Sequence, residues 1–99
     1  MGVRTRSTAG GAQFGLSVAT TVVTLTLPLG AMTAEIYVRD APIVFTRDGT
    51  APTATQGVQA NVGEIIVLNS RDELDKMRMI RQGGTSATVD VEYFTDLSG

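Results

Sequence analysis

Short runs in which apolar and polar residues alternate constrain this chain more than any other feature. Ala34, Ile36 and Val38 alternate with Glu35, Tyr37 and Arg39, and Ala87, Val89, Val91 and Tyr93 alternate with Thr88, Asp90, Glu92 and Phe94. Successive side chains of a strand point to opposite faces, so each run offers one face to a core and the other to solvent or a partner. Earlier in the chain, Phe14, Leu16 and Val18 keep the same period, and Val23, Leu25 and Leu27 alternate with Thr24 and Thr26 until Pro28-Leu29-Gly30 ends the run. Residues 43–47 follow a turn at Asp40-Ala41-Pro42 and are expected to pair antiparallel with 34–38. Residues 58–62 make a further short strand, and 64–68, with its unbroken apolar stretch, reads as a strand covered on both sides. Residues 77–82 lead into Gly83-Gly84, a hairpin signal, with 87–94 as the returning strand.

Between these runs lie two distinctive segments. Asp48-Gly49-Thr50-Ala51-Pro52-Thr53-Ala54-Thr55-Gln56-Gly57 is built from turn formers, with almost no charge and no large apolar group. Asp48 can bond the backbone just ahead, Gly49 tolerates positive φ, and Pro52 pushes Ala51 to an extended conformation, so an exposed, extended connector is expected. Ser70-Arg71-Asp72-Glu73 has the form of a capping box, which predicts a short helix over 71–76 with Leu74 and Met77 on its inner side. Seven or eight short strands and one short helix make the expected fold all-β, an antiparallel β-sandwich or small jelly roll. Residues 1–13, small and Gly-rich with Arg4 and Arg6, read as a flexible arm, and 14–99 as a single β-sandwich domain.

Composition narrows the chemistry. The 99 residues contain no Cys, His or Trp, which removes disulfides, thiolate nucleophiles, imidazole bases and the usual zinc ligands. Lys76, the only lysine, sits among Asp72, Glu73 and Asp75, where an i,i+4 pair with Asp72 explains it better than catalysis does. Those acids lack the alternating spacing around a glycine that a Ca2+ loop needs. No enzyme activity, metal or cofactor is expected. A formal charge of −2 gives no footprint for direct nucleic-acid binding. The run 14–32 is interrupted by Gly, Ser, Thr and Pro, so neither a membrane span nor a signal peptide is expected. Arg39, Arg47, Arg78 and Arg81 lie in or beside predicted strands and, with Arg4 and Arg6, are the candidate interface residues; the competing account is solvated positions balancing nearby acids. Tyr37, Phe45, Tyr93 and Phe94 fit core packing or, alternatively, a sugar-stacking platform.

Taken together, Ala34-Glu35-Ile36-Tyr37-Val38, the stretch from Phe45 through Asp48-Gly49-Thr50 to Gly57, Asp72-Glu73-Leu74, Met79-Ile80-Arg81 and the ending Val89-Asp90-Val91-Glu92-Tyr93-Phe94 resemble a group of small structural proteins of tailed bacteriophages and prophages. The resemblance spans residues 34–94 and brings no catalytic residues with it. It implies a non-enzymatic virion component, made in the host cytoplasm and incorporated into the virion, either a capsid decoration or cement protein or a head-neck accessory. The expected partners are coat or connector subunits and further copies of the chain as a homo-oligomer. A glycan-binding module displayed on the particle surface is the alternative.

Overall fold

The alternating runs become two antiparallel sheets. In the computed structural model, which describes residues 9–95, the elements are β1 (Ala9–Val18), β2 (Ala31–Val38), β3 (Ile43–Thr46), β4 (Val58–Ala60), β5 (Ile65–Leu68), α1 (Arg71–Lys76), β6 (Arg78–Arg81) and β7 (Ala87–Thr95). One sheet has the order β1-β7-β2-β5 and the other β4-β3-β6. The fold is therefore all-β and sandwich-like, divided four strands against three among the described residues. Between the sheets lie Ile36, Val89, Val91 and Tyr93 from one side and Ile43 and Met79 from the other, all fully buried.

Strand faces follow the alternation, but several pairings do not. β2 and β3 belong to different sheets: β2 pairs with β5 and β7, and β3 pairs with β4 and β6. Ala41 is buried at the corner where the chain crosses, so the Asp40-Ala41-Pro42 turn moves the strand to the opposite layer instead of folding it back alongside. Gly83-Gly84 likewise joins β6 of one sheet to β7 of the other and is no hairpin. Residues 22–27 keep the predicted faces, with Leu25 buried and Val23 and Leu27 packed on the core, yet form no strand. Only Val23 bridges Met79, by reciprocal backbone bonds of 2.9 and 3.0 Å, because this segment is crossing between the layers.

The ordered body starts earlier than residue 14. Ala9 to Gln13 belong to β1 and pair with β7 from Phe94 to Val91, so the arm expected over 1–13 is corrected for 9–13, while residues 1–8 lie outside those described. A ladder partner supplies the ordering that the sequence of this stretch lacks. β1 also carries a register shift between Gln13 and Leu16, where Gly15 adopts φ 73° and its amide donates to Asp90 Oδ1 at 2.9 Å. That bulge breaks the predicted face and leaves Phe14 68% exposed.

Helix α1 forms as its cap predicts. Ser70 Oγ accepts from the Glu73 amide at 3.2 Å, but the Glu73 carboxylate accepts from the amide of Asn69, one residue before the cap, at 2.7 Å. Leu74 and Met77 are buried beneath the helix, and Lys76 pairs with Asp72 at 3.2 Å. The connector is exposed as expected but is not extended. Asp48 Oδ1 accepts from the Thr50 amide at 3.0 Å, and Thr53 and Gln56 exchange backbone bonds in a tight turn. Pro52 is buried and Gly57 lies flat against β3, so both ends of the turn are fixed to the body.

Candidate functional site: the outer face of the four-stranded sheet and its β5 edge

The side of the large sheet that faces away from the core carries a connected set of polar side chains on β2 and β7. Register sets Glu35 opposite Glu92 and Tyr37 opposite Asp90, with Val67 and Ile65 as the next neighbours of Glu35 and Tyr37 across β5. Two carboxylates facing each other across a ladder repel. The Tyr37 hydroxyl lies between them, 2.6 Å from Glu35 Oε1 and 3.0 Å from Glu92 Oε1. Its hydrogen bond to Glu35 is the largest cause, with desolvation next, of a phenol held well above its ordinary titration range. Next along the face, Asp90 accepts the Gly15 amide and meets Arg39 at 3.5 Å. The centre of the face is thus an acceptor-rich pair of carboxylates, and its far side is neutralised by Arg39.

Apolar surface borders this acidic centre. Ile65 is 54% and Val67 45% exposed, so β5 is not covered on both sides as its sequence implies. It is the last strand of its sheet, with Ile66 and Leu68 on the core and the other two residues outward. Val58 is half exposed too, and a small groove of about 170 Å³ runs between β4 and β5.

The described arginines divide between several places. Arg39 belongs to the acidic face. Arg47 stacks its guanidinium 5.3 Å from the centre of the Phe45 ring and lines an open groove of about 640 Å³ between the connector and α1. Arg78 donates to the carbonyls of Asp75 and Met77, both at 3.1 Å, closing the C-terminal end of α1. Arg78 lies opposite Thr46 and Arg81 opposite Ile43, at the two ends of β3. Arg47 and Arg78 therefore come together at one end of the smaller sheet, Arg81 lies at the other, and Arg39 is on the larger sheet. Arg4 and Arg6 lie outside the described residues.

Aromatic side chains are distributed in the same divided way. Tyr93 is buried, with its hydroxyl donating to Gln13 Oε1 at 2.9 Å and its pKa pushed up to about 12 by burial. Phe45 is buried beneath Arg47, whereas Tyr37 remains partly exposed. Among the described residues, no three His, Cys, Asp or Glu side chains are placed to hold a metal ion, and no helix is long and apolar enough to cross a membrane.

Sequence reasoning missed the Glu35–Tyr37–Glu92 grouping. Half of it was legible, because Glu35 and Tyr37 share a strand face, but the position of Glu92 depends on strand order. Compared with family models, curated proteins and solved structures, the chain matches none.

Proposed function

We propose that this chain is a non-enzymatic assembly protein, a structural component of a tailed-phage particle that works by burying surface against neighbouring subunits. The observation that carries the reading is the half-exposed Ile65 and Val67 on an edge strand, beside a face centred on two carboxylates. An apolar border around a polar centre is suited to protein contact. The sequence resemblance supplies the setting, a capsid decoration or head-neck position with coat or connector subunits as partners and the virion as its location. Glu35 and Glu92 are the natural acceptors for arginines of a neighbour, and Arg4 and Arg6 of another copy have the matching charge.

Glycan binding is the less supported reading. Tyr93 and Phe45 are withdrawn from the surface, and the Tyr37 hydroxyl is already engaged by acids. Removing the gene from the encoding phage and adding purified protein back to the resulting particles tests the proposal. Particles lacking the chain should lose integrity at lower temperature and recover it on add-back. A variant lacking residues 1–8 leaves β1 whole and isolates the contribution of the two terminal arginines. Particles equally robust with and without the protein would reject a stabilising role.

A further inference from the structure

The free edge of β5 differs from every other edge in the two sheets. β1 is interrupted by two register shifts, β4 is three residues long, and β6 has an arginine at each end and Val23 bonded to its outer side. Bulges, shortness and charge are the usual devices that prevent strands from pairing between molecules. β5 is also short, but it has neither a register break nor a charge within it: its four residues pair with β2 in unbroken register, and all four are Ile, Val or Leu.

The hydrogen-bond phase of this edge is fixed by its neighbours. Val38 N donates to Glu64 O at 3.1 Å, and on the other side of β2 Arg39 N donates to Thr88 O at 3.0 Å. Antiparallel ladders alternate, so Ile66 and Leu68 direct their backbone groups towards β2, and Ile65 and Val67 direct theirs outward. Each copy thus presents two amides and two carbonyls in a row, at the two residues whose side chains are also exposed.

We propose that β5 is a self-pairing edge, joining the four-stranded sheets of two copies of this chain across a two-fold axis at Ile66. The inference deepens the assembly reading and rests on it. About that axis Ile65 of each copy meets Val67 of the other, in pairs of the hydrogen-bonded type, giving four new backbone bonds and two apolar cross-strand contacts. Glu64 meets Leu68, so no like charges face each other in this register. A two-fold contact requires a patch that complements itself, and an edge centred on one residue with apolar neighbours on either side meets that condition. A few aliphatic side chains per copy fall short of the roughly 800 Å² per partner of a standard interface, so the pairing depends on concentration and is reinforced when a particle holds copies side by side.

Amide exchange and sedimentation across a concentration series test the pairing. At low concentration the Ile66 and Leu68 amides are protected and those of Ile65 and Val67 exchange freely; as dimer forms, the latter pair becomes protected at least about tenfold. Val67→Lys, which restores an edge charge at an outward position, shifts the dimer dissociation constant upward by tenfold or more. A matched melting temperature for monomeric Val67→Lys excludes misfolding, and Ile65→Lys provides a second variant. Wild-type protein that stays monomeric at millimolar concentration overturns the self-pairing. A Val67→Lys variant that oligomerises like wild type also overturns it but leaves the assembly reading intact. That reading is judged separately by particle add-back.

Discussion

Gly57→Ala tests whether the connector is fixed to the body in the way described. Gly57 has φ 133°, and an added Cβ would lie 2.6 Å from Val44 Cγ1 and 3.0 Å from the Phe45 carbonyl oxygen. The backbone conformation alone costs a non-glycine residue about 1–3 kcal/mol. Overlap with β3, a central strand whose neighbours are closely packed, adds about 1–3 kcal/mol. A combined loss of about 3 kcal/mol is a large part of the ~5–15 kcal/mol that holds a small domain together. In a domain of this size it corresponds to a fall in Tm of about 12–24 °C. Two controls separate the contributions. Gly63→Ala meets nothing within 4 Å but keeps an unfavourable φ of 88°, so it shows the conformational cost alone. Gly83→Ala, with open space and no such φ, should stay within about 0.5 kcal/mol of wild type. Urea and thermal unfolding of the series is the assay. A Gly57→Ala protein as stable as Gly83→Ala would refute the close approach of the connector to β3.

Other consequences concern titration and capping. Tyr93 titrates near pH 12 when folded, above the ~10 of an unfolded tyrosine, and Tyr37 is raised as well. Their contribution to stability is therefore complete below pH 10 and is lost as pH climbs from there through the folded value. Native protein should show little tyrosinate absorbance at pH 10.5 where urea-unfolded protein shows much, and coincident curves would count against both sites. Asp48 is held below its ordinary range, first by the Thr50 backbone amide and then by the Thr50 hydroxyl, so its stabilising effect is present above the unfolded value and fades as pH falls through the folded one. A carboxyl NMR midpoint at or above that of a free aspartate would remove the turn bond. Ser70→Ala removes the acceptor for the Glu73 amide and should lower stability by about 1 kcal/mol, read as a shift in urea midpoint with unchanged slope.

What the sequence carried was mostly the direction of side chains. Val23, Leu25 and Leu27 face the core as alternation predicts, although their backbone forms a single bridge instead of a ladder. Side-chain direction depends on local period, but pairing depends on where the chain turns in space. Pro42 and Gly83-Gly84 mark a change of direction without recording which layer receives the next strand. The capping box set α1 to the residue, because its bonds span only a few positions. β5 misled for a different reason: its unbroken apolar run looked like a doubly covered strand, but Ile65 and Val67 remain exposed in the single chain. The same mismatch between sequence character and burial is the observation on which the proposed contact at β5 rests. The acidic face was half visible, since Glu92 meets Glu35 only once β7 is placed beside β2.

The proposed role in a phage particle is tested most directly by quantitative mass spectrometry of particles purified from the strain that carries the gene, counting this chain against the major coat protein. The account predicts a fixed ratio that survives repeated washing and matches a symmetric set of sites on the shell or neck. Absence from washed particles, or a ratio that changes from one preparation to the next, would contradict it.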